Sequence, residues 1–149
     1  MPAAGLVVLL GCAAAHLALA MVIPSPWWVP DLTLVGLVLA VGIWPARWWL
    51  LSAAAGLLTM VWAVRSIGQI FAGYLLIGWA VRLAGRQWDA TDPRIESGLV
   101  GSASLVLTMG AFWLDDLWSP ILLVFTGLRT ALTCATVPLV HHLARGRSR

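Results

Sequence analysis

The sequence predicts an all-α integral membrane protein, a six-transmembrane-helix bundle with both termini on the cytoplasmic side. Three observations carry that prediction. Of 149 residues, 61% are hydrophobic and 10% are charged, whereas a soluble domain carries about 45–50% apolar and about 25% charged residues. The apolar residues collect into six runs near the roughly 20 residues that a helix needs to cross a bilayer core. The few charges are unevenly placed: every basic residue is Arg, and most fall on one side of the six runs.

The runs cover about residues 5–23, 27–44, 48–64, 67–84, 98–114 and 118–142, followed by a basic tail at 143–149, and together they form a single polytopic domain over 1–149. Backbone groups in lipid must bond within their own segment, so the runs are read as helices. They lack the alternation of a membrane barrel strand. The first run is uncharged. Its Ala18-Leu19-Ala20 resembles a signal-peptidase site, but the preceding Met-Pro-Ala-Ala lacks the basic start of a signal peptide, so a retained helix is expected. Pro24, Pro26 and Pro30 stiffen the next connection, and Asp31 opens the second helix with a charge that suits a helix N-terminus.

Trp44-Pro45-Ala46-Arg47-Trp48-Trp49 joins the second and third runs tightly, and Pro45 disfavours a continuous helix. A re-entrant pair that never crosses is the alternative for these two runs. The one extended polar connection besides the tail is Gly85–Ser97.

With both termini inside, the cytoplasmic loops and tail hold Arg47, Arg82, Arg86, Arg94, Arg145, Arg147 and Arg149, and the outer loops hold only Arg65. That is a strong positive-inside bias. Asp31, Asp115 and Asp116 then fall at the outer face. Trp27, Trp28, Trp44, Trp48, Trp49, Trp113 and Trp118 mark span ends, as an interfacial belt does. The arginine-rich tail is too short to argue for nucleic acid; contact with anionic lipid accounts for it.

The catalytic inventory is thin. There is no HExxH and no GxSxG, so no enzyme, metal or cofactor is expected. His16 and His142 lack ligand partners at metal spacing, and His141-His142 reads as an interfacial cap. Cys12 and Cys134 lie in apolar runs at similar depth and read as packing residues. Asp115-Asp116 reads as a solvated pair. Ser102, Ser104, Thr108, Thr126, Thr130, Thr133 and Thr136 either bond across the last two helices or back-bond to their own.

Arg129 is the exception. It falls near mid-membrane, where an arginine costs at least ~2.5 kcal/mol. Asp31, Asp115, Asp116 and His16 are its available partners. Two readings stand: an internal hub, in which His16 shares, or a contact with a ligand or partner helix. Ala14-x-x-x-Ala18, Gly11-x-x-x-Ala15 and Gly36-x-x-x-Ala40 each place small residues one turn apart, the pattern of closely packed membrane helices.

Several short motifs fall in a recognisable order. Pro30-Asp31-Leu32-Thr33-Leu34 opens the second run, Pro45 follows in the short turn, then come Gly56-Leu57-Leu58, Ile67-Gly68 and Tyr74-Leu75-Leu76-Ile77-Gly78, with Pro138 near the end of the last run. This order resembles the MreD family of rod shape-determining proteins over nearly the whole chain, most clearly over 27–84. Thr59 departs from it, where the family often has an acidic residue after Gly-Leu-Leu.

The resemblance implies a non-enzymatic subunit of the bacterial elongation machinery in the inner membrane. Such a subunit binds MreC and is joined through it to MreB filaments and to the RodA glycosyltransferase with its transpeptidase. Association with membrane lipid and with further copies of the chain is compatible with so much apolar surface. The six-helix plan is also similar to the substrate-binding subunits of energy-coupling-factor vitamin transporters, which is the rival expectation. The very short outer connections leave little material for the polar pocket that role requires.

Overall fold

The computed structural model describes residues 2–25, 28–60, 67–88, 92–114 and 118–146. Among these it is entirely helical, with α1 (Pro2–Val22), α2 (Leu32–Ile43), a one-turn 3-10 helix (Pro45–Arg47), α3 (Trp48–Met60), α4 (Ile67–Gln87), α5 (Pro93–Leu114) and α6 (Pro120–Gly146).

Local chemistry sets the helix ends. Asp31 caps α2, its Oδ1 accepting the Leu34 N–H at 3.1 Å, which satisfies one orphan donor of the first turn. Pro45 bars the helical conformation at Trp44 and ends α2. Asp92 accepts the Arg94 N–H at 2.8 Å, and Pro93 occupies the first helical position, where its missing N–H costs nothing. α5 therefore begins at Pro93 rather than near residue 98, and α4 continues to Gln87. The polar connection expected over Gly85–Ser97 is mostly two helix ends.

Six spanning helices are expected from the sequence; the six α-helices among the described residues are not all of spanning length. Among the described residues, three segments are long and apolar enough to cross a bilayer: Ala4–Val22, Pro93–Leu114 and Pro120–Ala144. A fourth results if α2 and α3, whose axes bend by 118° at the break, count as one broken span. α2 has 12 residues; at about 1.5 Å per residue it is roughly 18 Å long, short of a core about 30 Å thick.

What α2 lacks in length it has in burial. Every residue from Leu32 to Val41 is buried, and α2 touches all five other helices. A helix apolar on every side belongs in a core or in lipid, and here α2 is enclosed by protein. The rest of the chain forms its sheath, with α1/α2, α3/α4 and α5/α6 each packed as an antiparallel pair. The core joins Leu34, Val35, Leu37 and Ala40 to Leu9, Leu51, Ala55, Val100 and Val137, all fully buried.

Small residues set the closest approaches. A Cβ on Gly36 would stand 2.7 Å from the Cys12 Cβ, and one on Gly5 would stand 3.3 Å from the Ala40 carbonyl oxygen. Gly36-x-x-x-Ala40 is therefore the α1–α2 seam. Gly56 meets Phe71 and Gly78 meets Ser52 along the α3–α4 seam. By contrast Gly11, Ala14, Ala15 and Ala18 point away from the bundle.

Candidate functional site

Three contacts fix the depth at which α2 begins. The His16 Nδ1 lies 3.0 Å from the Pro30 carbonyl oxygen, the Thr133 hydroxyl accepts the Asp31 N–H at 3.0 Å, and Arg129 Nη2 lies 3.8 Å from Asp31 Oδ2. His16 is six residues before the end of α1 and Arg129 nine after the start of α6, about 9 Å and about 14 Å along their axes. Pro30 and Asp31 thus lie between α1 and α6, and α2 starts inside the bundle. Asp31 caps a helix, as expected, but it does not lie at the outer rim. Its side chain is 16% exposed.

Around Asp31 the structure assembles a polar cluster from five helices. Oδ1 caps α2 and Oδ2 faces Arg129. The Thr133 hydroxyl donates in turn to the Arg129 carbonyl at 2.8 Å, so the Asp31 backbone and side chain both lead to the same turn of α6. Buried Tyr74 on α4 stands within hydrogen-bonding reach of Asp31 and of Thr59 on α3. Thr59 also back-bonds to Ala55 and Gly56. His16, 7% exposed, closes the cluster from α1 through Pro30.

Among the described residues Arg129 therefore has an internal counter-ion, Asp31. His16 joins the cluster through the Pro30 carbonyl. The ion pair is loose. Among the described residues Arg129 Nε, although buried, has no hydrogen-bond partner. The arrangement supplies charge neutralisation, a helix cap and a hydroxyl relay.

The sequence did not single out Glu96, which it placed in a polar loop. It is 2% exposed in the first turn of α5, and its Oε2 lies 2.5 Å from His141 Nδ1 near the end of α6. His141 is therefore a partner of Glu96 rather than an interfacial cap, whereas His142 is exposed. The readable signal was Asp92-Pro93, which starts the helix early enough to turn Glu96 inward. Glu96→Ala strands His141 and should lower unfolding free energy by about 1–3 kcal/mol, while His142→Ala should be nearly neutral. Equal melting of the two variants in detergent would sink this assignment.

The remaining expectations divide. The turn at 45–47, the end of α4, the start of α5 and the end of α6 lie at one end of the bundle, which gathers Arg47, Arg82, Arg86, Arg94 and the backbone of Arg145 there. Ser104 on α5 and Thr130 on α6 approach within 3.3 Å across the helix pair. Ser102, Thr108, Thr126 and Thr136 back-bond to their own helices. Cys12 packs on Gly36, and Cys134 Sγ lies 3.5 Å from the Ser97 carbonyl, so the two thiols have separate surroundings.

Pro30, Leu32, Gly56, Tyr74 and Gly78 all serve the interior. Gly68 faces open space and Pro138 is exposed within α6. Asp115, Asp116, Arg65, Arg147 and Arg149 lie outside the described residues, as does Trp27. No group of three or more metal-ligating side chains is found among the described residues. Comparison of the chain with known protein families, with curated proteins and with solved structures finds no match.

Proposed function

We propose that this chain is a non-enzymatic scaffold subunit of the bacterial cell-elongation machinery, similar to the MreD family. It sits in the inner membrane with both termini cytoplasmic. It binds MreC and links it to MreB filaments and to the RodA–transpeptidase wall synthase. In this reading the chain makes six passages.

One observation carries the reading. Most of the residues that bear the resemblance are those the interior is built on: the Pro30 carbonyl receives His16, Asp31 caps α2 and pairs with Arg129, Tyr74 joins the cluster, and Gly56 and Gly78 bring α3 and α4 together. The motif residues thus hold structural positions in this chain, and that supports the reading. The polar groups are spent inside, which leaves apolar outer faces for helix contact. On α1 that face carries Val7, Leu10, Met21 and Val22 beside exposed Gly11, Ala14, Ala15 and Ala18. The small residues allow close approach of a single partner helix.

The test is a detergent pull-down of the tagged protein from a rod-shaped bacterium, read by mass spectrometry. MreC and the wall synthase are the expected recoveries. A transport ATPase pair in their place would overturn the scaffold. Ala14→Leu with Ala18→Leu should leave the fold intact and reduce MreC recovery about tenfold, the equivalent of 1–2 kcal/mol of helix packing. Undiminished recovery would move the contact off α1.

A further inference from the structure

We infer that the cleft between the α2–α3 turn and the end of α4 binds the phosphate of an anionic phospholipid headgroup. The inference rests on the membrane reading above, with this end of the bundle facing the cytoplasm. Gly42, Pro45 and Ala46 form one wall and Arg82, Gly85 and Arg86 the other, around a volume of about 300 Å³. That is the lower end of the range for small-ligand pockets. The space exists because Gly42, Ala46 and Gly85 carry no side chain able to fill it.

Arg82 and Arg86 are one helical turn apart and so project from the same face of α4. Arg82 is held in place: its guanidinium carbon lies 5.9 Å from the centre of the Trp48 ring, a cation–π distance. Among the described residues, neither arginine has a carboxylate within ion-pair distance. One guanidinium held by Trp48 and a second one turn along the helix, without a carboxylate partner among the described residues, suit a phosphate.

The surroundings select a lipid over a free anion. Trp48 lies against Arg82, and exposed Trp49 and Trp88 lie on the same end of the bundle; tryptophans of this kind sit at headgroup depth. Exposed Leu83 and Trp79, on the same helix as the arginines, offer an apolar flank along which an acyl chain can run. Basic pockets between helices on the cytoplasmic side are where anionic headgroups bind.

The full chain, purified and reconstituted with phosphatidylglycerol and phosphatidylcholine in equal amounts, should retain phosphatidylglycerol preferentially in native mass spectra, by about tenfold. Arg82→Gln with Arg86→Gln should abolish the preference, and Ala46→Leu, which fills the cleft without changing charge, should weaken it. Arg94→Gln, at the same end but outside the cleft, should leave it intact.

A preference that survives both cleft variants, or that falls equally with Arg94→Gln, overturns the site in favour of diffuse charge. Displacement of the lipid by millimolar inorganic phosphate assigns the cleft to a free anion and overturns the lipid. Failure of the chain to enter bilayers at all overturns the membrane reading as well. An embedded protein without headgroup preference overturns only the cleft.

Discussion

Asp31→Ala is expected to cost the folded bundle about 3 kcal/mol. Two losses combine. The first is the cap of the central helix, worth about 1 kcal/mol. The second is the counter-ion of Arg129. Stranding a buried charge costs about 3–5 kcal/mol, reduced here to about 2 because the Arg129 and Asp31 side chains keep 26% and 16% of their exposure and stand 3.8 Å apart.

Asp31→Asn separates the two losses, since Asn caps as well as Asp but cannot neutralise Arg129. It should cost about 2 kcal/mol. Arg129→Leu should cost less than either, because the remaining carboxylate still caps α2 and faces the positive end of its dipole. Unfolding in mixed detergent micelles, followed by circular dichroism, ranks the three. The double variant Asp31→Asn with Arg129→Leu should fall short of the sum of the singles, the signature of direct coupling. A change below about 0.5 kcal/mol for Asp31→Ala would mean that the cluster is incidental to the fold.

Gly36→Val should be at least as damaging, at about 3 kcal/mol or more, toward the upper end of what overpacking produces. The new Cβ would meet the Cys12 Cβ at 2.7 Å and the Leu9 Cα at 3.4 Å. The Cys12 Cβ is held in place by its own backbone, so no side-chain rotation relieves the 2.7 Å clash and α1 must move away from α2. Because α2 is enclosed on every side, moving α1 also loosens the seat of His16 against Pro30. Gly11→Val is the matched control. It stands in the same kind of small-residue pair, but nothing lies within 4 Å of its Cβ, and its effect should stay within about 0.5 kcal/mol. Comparable thermal shifts for the two variants would show that the α1–α2 seam is not the tight contact described above.

These two sites show what was legible in the chain. Asp31 announced itself as a cap because it follows Pro30 and precedes an apolar run, and capping is local chemistry. The Arg129–Asp31 pair could only be one option among several, because the two are separated by four helices in sequence and nothing local sets their relative depth. The small-residue pairs were equally visible at Gly11, Ala14 and Gly36. Which of them is a seam and which an open face depends on how α1 is rotated about its axis, and a helix this apolar all round carries no periodic stripe to reveal that. Glu96 was missed for a related reason. A loop boundary placed a few residues too late turned a buried partner of His141 into surface charge.

By itself, the sequence determined the helical class, the break at Pro45, the cap at Asp31 and the gathering of most loop arginines toward one end. All of these follow from hydropathy, capping and proline geometry within a few residues. The tertiary structure alone decided that the second helix is short, submerged and central, that its cap neutralises Arg129, and that Arg82 and Arg86 border an open cleft. Each of those depends on distances between segments far apart in the chain. Burial on all sides removes the amphipathic signal from which such distances might have been read.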